Sequence, residues 1–171
     1  MSDEEQVKDW LKKIQETKKG EVDLSRDEDL AIALMNIISL EEHFYFTAMK
    51  TDNQKYLEML KDVRELRKNL LRKIVTNPEG EEWCISKHLL AASMRLEEVG
   101  TKELGKGNLK EANNYFKAGF ELFSLFFAIN LKMVGKEKLT KLSTEASQAN
   151  KGIMAGFSGI IKKIVDCCKE W

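Results

Sequence analysis

The chain is 171 residues long, and its composition excludes several classes of protein. Its residues are 43% apolar and 33% charged, with ten glycines and one proline. The sequence is therefore too apolar for a disordered chain and too poor in turn formers for an all-β fold. The 28 basic residues balance the 28 acidic ones, so no overall field attracts nucleic acid or an anionic membrane. One all-α domain over 1–171 is expected.

Helix start and stop signals divide this domain into a six-helix bundle. Short polar residues followed three positions later by Glu or Gln predict capping boxes, which begin at Ser2, Ser25, Thr51 and Asn108. Asn77-Pro78 predicts a fifth start, because a proline in the first helical turn gives up no hydrogen bond. Glycines favour helix ends at Gly20, Gly107 and Gly135. The predicted helices span 3–18, 26–50, 53–76, 79–104, 109–133 and 137–169.

Short connections predict that these helices form antiparallel hairpins, and their hydrophobic patterns predict which helices are central and which are on the outside. The segments Leu30–Leu40 and Gly119–Leu131 are apolar almost all round, which predicts central positions. The helix 53–76 has a single apolar stripe and is expected on the outside. Residues 1–20 are expected to form a docked N-terminal helix. The stripe of the outer helix consists of Met59, Val63, Leu66, Leu70 and Ile74.

A long C-terminal helix over 137–171 carries the most extended apolar seam. Its apolar residues recur at spacings of three and four from Leu139 to Ile164, as they do where two long helices pack. Three glycines flank the seam, and each costs roughly 1 kcal/mol of helix propensity, which favours close packing against a partner. That partner is an internal core, a second copy or another protein. The predicted interaction surface consists of Gly152, Gly156, Phe157, Gly159 and Ile160.

A short internal sequence similarity suggests two similar helical hairpins. Leu40-Glu41-Glu42 is followed by Lys50-Thr51-Asp52, and Leu96-Glu97-Glu98 is followed at the same separation by Lys106-Gly107-Asn108. Each segment of the second hairpin lies 56 residues after its counterpart in the first. Duplication or shared turn chemistry explains such an offset.

The second hairpin, about residues 94–124, resembles one tetratricopeptide (TPR) repeat unit. The resemblance rests on Val99-Gly100, Gly107-Asn108, Glu111-Ala112, Phe116 and Gly119, whose mutual spacing agrees with that family's pattern. It departs from the pattern at Leu96 and Glu103 and lacks the closing proline. The resemblance implies small residues where two helices cross, and a role in protein–protein interaction. Since a solenoid needs about three stacked units, the family's peptide-binding groove is not expected.

Cys84 and His88 form the main candidate for metal or redox chemistry. They lie four residues apart on one predicted helix and so share a face, and sulfur with imidazole suits zinc or copper. Further ligands would have to come from His43 or from the Cys167-Cys168 pair. The alternative interpretation is a buried thiol beside a histidine with a local hydrogen bond. No cofactor is predicted.

Two charged patterns are better interpreted as solvated faces. Glutamates at Glu41-Glu42 and Glu97-Glu98 suggest a di-iron site, but neither histidine follows a glutamate by three residues. A row of basic residues suggests phosphate binding, but glutamates interrupt it and no aromatic residues are interleaved. The row consists of Lys61, Arg64, Lys68 and Arg72.

The sequence therefore predicts a non-catalytic cytoplasmic module for protein–protein interaction or self-association. No catalytic motif is present, the acidic N-terminus does not resemble a secretory signal, and the three cysteines do not form a disulfide framework. Nucleic-acid and membrane binding are not expected. Two alternatives stay open, a metal- or redox-active bundle that uses Cys84 and His88, and a small-ligand pocket between aromatic-rich helices.

Overall fold

The computed structural model describes residues 24–132, and within this range the chain forms four α-helices and no strand. They are α1 (Ser25–Thr51), α2 (Lys55–Leu71), α3 (Glu82–Gly105) and α4 (Leu109–Asn130). The predicted all-α architecture is confirmed for this part of the chain. The predicted helices 3–18 and 137–169, and with them the count of six, lie outside the described residues.

The four helices form two hairpins that meet through α1 and α3. α1 packs on α2, α3 packs on α4 along most of its length, and α1 also contacts α3. Each hairpin reverses at a residue in the left-handed conformation, Asp52 with φ 50° and Gly107 with φ 80°. Between the hairpins, Arg95 binds Glu42 at 3.2 Å and donates a hydrogen bond to Ser39.

The hydrophobic core lies at the end of the bundle where α2 connects to α3. The C-terminal half of α4 supplies much of it, as predicted for a central helix, and Phe126 is fully buried. The Phe127 ring meets the rings of Phe123 and Phe126 edge-on, each at a centroid distance of 5.2 Å. The other helices contribute Ala31, Leu34, Met35, Ile38, Leu71, Leu89 and Leu90, and the α2–α3 connection adds Ile74 and Val75.

The apolar stripe predicted for α2 is only partly buried, because two of its five members, Met59 and Leu66, are exposed. Leu66 is 50% exposed, whereas its neighbour Arg67 is only 2% exposed. The Arg67 Nε donates a hydrogen bond to Glu41 Oε1 at 2.8 Å, so the guanidinium is neutralised across the α1–α2 contact. Its aliphatic stem then packs where an apolar side chain was expected. Glu41 is thus part-buried in an ion pair and does not belong to a solvated face.

The α2–α3 connection is longer than the sequence predicts. α2 ends at Leu71 and not near 76, and α3 begins at Glu82 and not near 79. Two left-handed residues, Asn77 with φ 48° and Gly80 with φ 53°, interrupt the helical path on either side of Pro78. Glu82 accepts a hydrogen bond from the Glu79 N–H at 2.9 Å, so its carboxylate closes the turn that precedes α3.

The predicted capping boxes at Thr51 and Asn108 are wrong in detail. Thr51 is the last residue of α1 and donates to the Thr47 carbonyl, while the Asn53 side chain accepts the Lys55 N–H at 3.0 Å. Asn108 does precede α4, but its side chain donates to Glu103 at 2.6 Å. In both places a neighbouring polar group competes for the capping side chain.

Candidate functional site

A groove of about 500 Å³ lies between α1, α3 and α4. Most of its surface is apolar, and three phenylalanines of α4 follow one another along it. These are Phe116, Phe120 and Phe123, spaced so that one face of the helix presents all three. The groove therefore presents a row of aromatic side chains along one helix.

The floor of the groove depends on the close approach of α3 and α4. The Ser93 hydroxyl donates a hydrogen bond to the Gly119 carbonyl at 2.8 Å, and both residues are buried. A Cβ at Gly119 would lie 3.2 Å from the Ser93 carbonyl oxygen, which is a tight contact. Met35 and Phe123, 6% and 9% exposed, complete the floor. A side chain at 119 would require the two helix backbones to move apart by a few tenths of an ångström.

The Phe116 ring forms one wall of the groove and packs on Gly100 of α3. A Cβ at Gly100 would lie 2.6 Å from Phe116 Cε1, closer than carbon atoms can approach. The ring therefore occupies the space that any other residue at 100 would fill. Phe120, half-buried, continues the wall toward the core.

The rim of the groove is apolar on one side and acidic on the other. Ile32 is 45% exposed, and Leu40 further along α1 is 39% exposed. Both residues belong to the segment Leu30–Leu40, and Ile32 turns its side chain toward the groove. Glu28 and Glu97 are the charged residues of the lining, and no described lysine or arginine lines it.

Further large apolar side chains are exposed near the two hairpin reversals. Phe46 and Met49, near the end of α1, are 55% and 59% exposed. The rings of Tyr45 and Phe46 lie edge-on at 5.1 Å. Further exposed apolar residues near the two reversals are Leu57, Met59, Val99, Leu104 and Leu109.

Two of the four residues in the basic row, Lys68 and Arg72, contact neighbouring side chains. Lys68 donates to Glu65 at 2.8 Å, and this hydrogen bond is the main cause that lowers the pKa of the Glu65 carboxyl. Arg72 donates to Asn69 and lies 5.9 Å from the centroid of the Trp83 ring. These contacts favour the interpretation of a solvated face over a phosphate-binding row.

The structure does not gather the predicted metal ligands into a site. Cys84, His88 and His43 are all exposed, and the described residues contain no group of three His, Cys, Asp or Glu that could hold a metal ion. The alternative of a buried Cys84 thiol is wrong. Cys167 and Cys168 lie outside the described residues, so a site that uses them stays a prediction.

The predicted interaction residues Gly152, Gly156, Phe157, Gly159 and Ile160 also lie outside the described residues. The sequence did not locate the groove, although a small-ligand pocket between aromatic-rich helices was one of the alternatives it left open. Phe120 and Phe123 belong to the segment Gly119–Leu131 that was predicted to be central, because periodicity alone does not distinguish a covered face from an open one.

Comparison of the chain with known protein families, with curated proteins and with solved structures finds no match. Among residues 24–132, none of the helices has the length and apolarity needed to cross a bilayer.

Proposed function

We propose that this protein is a non-catalytic helical module whose groove between α1, α3 and α4 binds an amphipathic helix of a protein partner or of a second copy. The observation that carries the proposal is the phenylalanine row of α4, in which the half-buried Phe116 and Phe120 line the groove together with the exposed Ile32. Helix-in-groove recognition uses apolar anchors at helical spacing, and such a row offers the matching surface.

The chemistry of the lining supports a helix more than a small molecule. A specific small-molecule pocket needs a few polar groups that point inward and fix the ligand's orientation. Here the Ser93 hydroxyl of the floor is already bonded to the Gly119 carbonyl at 2.8 Å. Aromatic walls with a polar rim are instead typical of protein interfaces, where a few buried anchors supply most of the binding energy.

The charge of the rim indicates the kind of helix that fits. Glu97 is exposed at the edge of the groove, and no described basic residue balances it within the lining. An amphipathic helix with lysines beside its apolar face would place positive charge near this carboxylate. Such complementarity favours correct partners and speeds association more than it adds affinity.

Two matched variants of the full chain test this proposal. Ile32→Lys places a charge on the groove rim, while Leu66→Lys places the same charge on a similarly exposed position of α2 outside the groove. Light scattering at several concentrations reports self-association, and affinity capture from the source cell with mass spectrometry reports partners. We expect Ile32→Lys to abolish the association and Leu66→Lys to retain it. A strict monomer without a reproducible partner, or equal behaviour of the two variants, contradicts the proposal.

A further inference from the structure

A second cleft, of about 620 Å³, lies where α2 passes into the connection to α3. Lys68 and Arg72 border it from α2, and Trp83 borders it from the first turn of α3. Residues 75–78 of the connection complete the lining. Clefts of roughly 300–1,000 Å³ hold small organic ligands, a class that includes nucleotides. None of these residues lines the groove between α1, α3 and α4, so this cleft is a separate candidate site.

The fold brings an aromatic ring to the end of the basic row. The other two members of the row, Lys61 and Arg64, do not line the cleft, so the row as a whole does not form a track for a nucleic-acid backbone. At its C-terminal end, the Arg72 guanidinium lies 5.9 Å from the centroid of the Trp83 ring. Cations beside an aromatic face are the groups on which proteins bind phosphates and stack bases. The last two cations of the row therefore belong to a different arrangement, a cleft that fits a single small ligand.

The Trp83 ring provides a fixed platform in this cleft. Its side chain is half-buried and packs against the hydrophobic core, and those contacts hold the indole in place. The distance of 5.9 Å to the Arg72 guanidinium is close to the limit of roughly 6 Å for a cation–π contact, so Arg72 covers the ring only loosely. A planar group of a ligand can therefore stack on the indole without displacing a closely packed side chain.

The lining carries two positive charges and, among the described residues, no carboxylate. Lys68 donates hydrogen bonds to both carboxylate oxygens of Glu65, at 2.8 and 3.1 Å, so its charge is shared with α2 itself. Arg72 is exposed and donates to the neutral Asn69 side chain at 2.9 Å. A guanidinium has five N–H donors, so Arg72 keeps several of them for an anion. Phosphate suits this pair, because arginine binds it through parallel hydrogen bonds and lysine binds it as a point charge.

From this juxtaposition we propose that the cleft binds a mononucleotide, with its phosphate on Arg72 and Lys68 and its base on the Trp83 ring. The Thr76 hydroxyl and the Asn77 amide, both exposed in the lining, add hydrogen-bonding groups. Inorganic phosphate is a poorer ligand, because the indole contributes only to a ligand with a planar ring. The site goes beyond the proposed function and shares no lining residue with the groove, so each proposal stands or fails by itself.

Titration calorimetry of the full chain with AMP, adenosine and inorganic phosphate separates the two halves of this site. We expect AMP to bind once per chain, and adenosine and phosphate each to bind at least about tenfold more weakly, because each lacks one of the two contacts. Equal affinities of AMP and inorganic phosphate would remove the stacking on Trp83 and overturn the proposal. Equal affinities of AMP and adenosine, or no binding of AMP at millimolar concentration, overturn it as well.

Two matched variants distinguish a site from general attraction of anions. Arg72→Gln and Arg64→Gln each remove one positive charge from an exposed position of α2, but only Arg72 lines the cleft. We expect Arg72→Gln to weaken AMP binding roughly tenfold and Arg64→Gln to change it less than about twofold. Because both side chains are exposed, both variants are expected to fold, and thermal unfolding checks this. Equal losses in the two variants overturn the proposal.

The fluorescence of Trp83 reports the stacking directly. The chain has three tryptophans, so Trp10→Phe combined with Trp171→Phe leaves Trp83 as the only indole. We expect AMP to quench this fluorescence with the dissociation constant that calorimetry gives, and adenosine to do so only at higher concentration. Binding of AMP without a change at Trp83 contradicts the proposal. A single-stranded oligonucleotide that binds while AMP does not also contradicts it, because the surface then recognises a strand.

Discussion

Two glycines, Gly100 and Gly119, allow α3 and α4 to pack closely. Gly100 leaves room for the Phe116 ring, and Gly119 leaves room for the Ser93 carbonyl. Gly105, at the end of α3, has no atom near the position of a Cβ. The same residue type therefore has opposite roles within one helix, required for packing at 100 and replaceable at 105.

Alanine substitutions separate these two roles. Gly100→Ala forces the Phe116 ring aside, and overpacking of this kind costs about 1–3 kcal/mol, which outweighs the helix propensity gained. Gly105→Ala meets no neighbour and is expected to raise the free energy of unfolding by up to about 1 kcal/mol. Urea denaturation measures both. Gly100→Ala combined with Phe116→Leu should recover much of the loss, and a Gly100→Ala protein as stable as Gly105→Ala contradicts the packing described.

The Arg67–Glu41 pair is the residue-scale feature that hydrophobic patterning could not predict. A charged side chain that is 2% exposed leaves no trace in a pattern of apolar residues, because its position depends on a partner on another helix. Removing one member leaves the other part-buried without its counter-charge. Replacing both by apolar residues removes that cost.

A single and a double substitution test this pair. Arg67→Met is expected to lower the free energy of unfolding by about 3 kcal/mol, and Arg67→Met with Glu41→Leu to recover most of that loss. Arg64→Met changes an exposed arginine of the same helix and serves as the control. Chemical denaturation gives all four free energies. Equal effects of Arg64→Met and Arg67→Met contradict the burial of the pair.

At the scale of elements, the ends of helices were harder to predict than their existence. α1 and the start of α4 agree with the predicted bounds to within a residue, although the Asn108 side chain bonds to Glu103 and does not cap α4. α2 and α3 differ by several residues because two left-handed residues, Asn77 and Gly80, flank Pro78. Backbone conformation of this kind is decided by the packing of the connection, which no local pattern encodes.

The α3–α4 reversal depends on a carboxylate. Glu103 accepts hydrogen bonds from Lys106 at 2.7 Å and from Asn108 at 2.6 Å, and these bonds hold the pKa of its carboxyl below the ordinary value of 4.5. The same pair raises the pKa of Lys106, chiefly through the hydrogen bond to Glu103. Both groups are therefore charged at neutral pH, and the reversal is closed by an ion pair.

The pH dependence of this contribution has a definite sign. A carboxyl whose folded pKa is lowered stabilises the fold above its unfolded pKa and loses that effect as the pH falls through the folded value. Wild type should therefore exceed Glu103→Gln in stability by a constant amount above about pH 4.5, and the difference should vanish below the lowered pKa. Thermal unfolding at several pH values measures this difference. Glu98→Gln controls for the lost charge, and a difference that persists in acid contradicts the role given to Glu103.

At the scale of the whole molecule, the buried apolar residues of the described chain are distributed unevenly. The core fills the end where α2 connects to α3, while apolar residues near both reversals, such as Phe46 and Leu109, stay exposed. The sequence predicted the central character of α4. It could not predict that Phe116 and Phe120 border an open groove, because the groove exists only where three helices from two hairpins meet.

The affinity of the groove for its partner tests the central claim most directly. Isothermal titration of the captured partner, or the self-association constant if a second copy is the partner, is measured for wild type, Ile32→Lys and Leu66→Lys. We predict that a lysine at 32 weakens binding by roughly tenfold or more, since a charge is buried at an apolar rim, while a lysine at 66 changes it less than about twofold. Equal affinities for the two variants would show that the partner binds elsewhere.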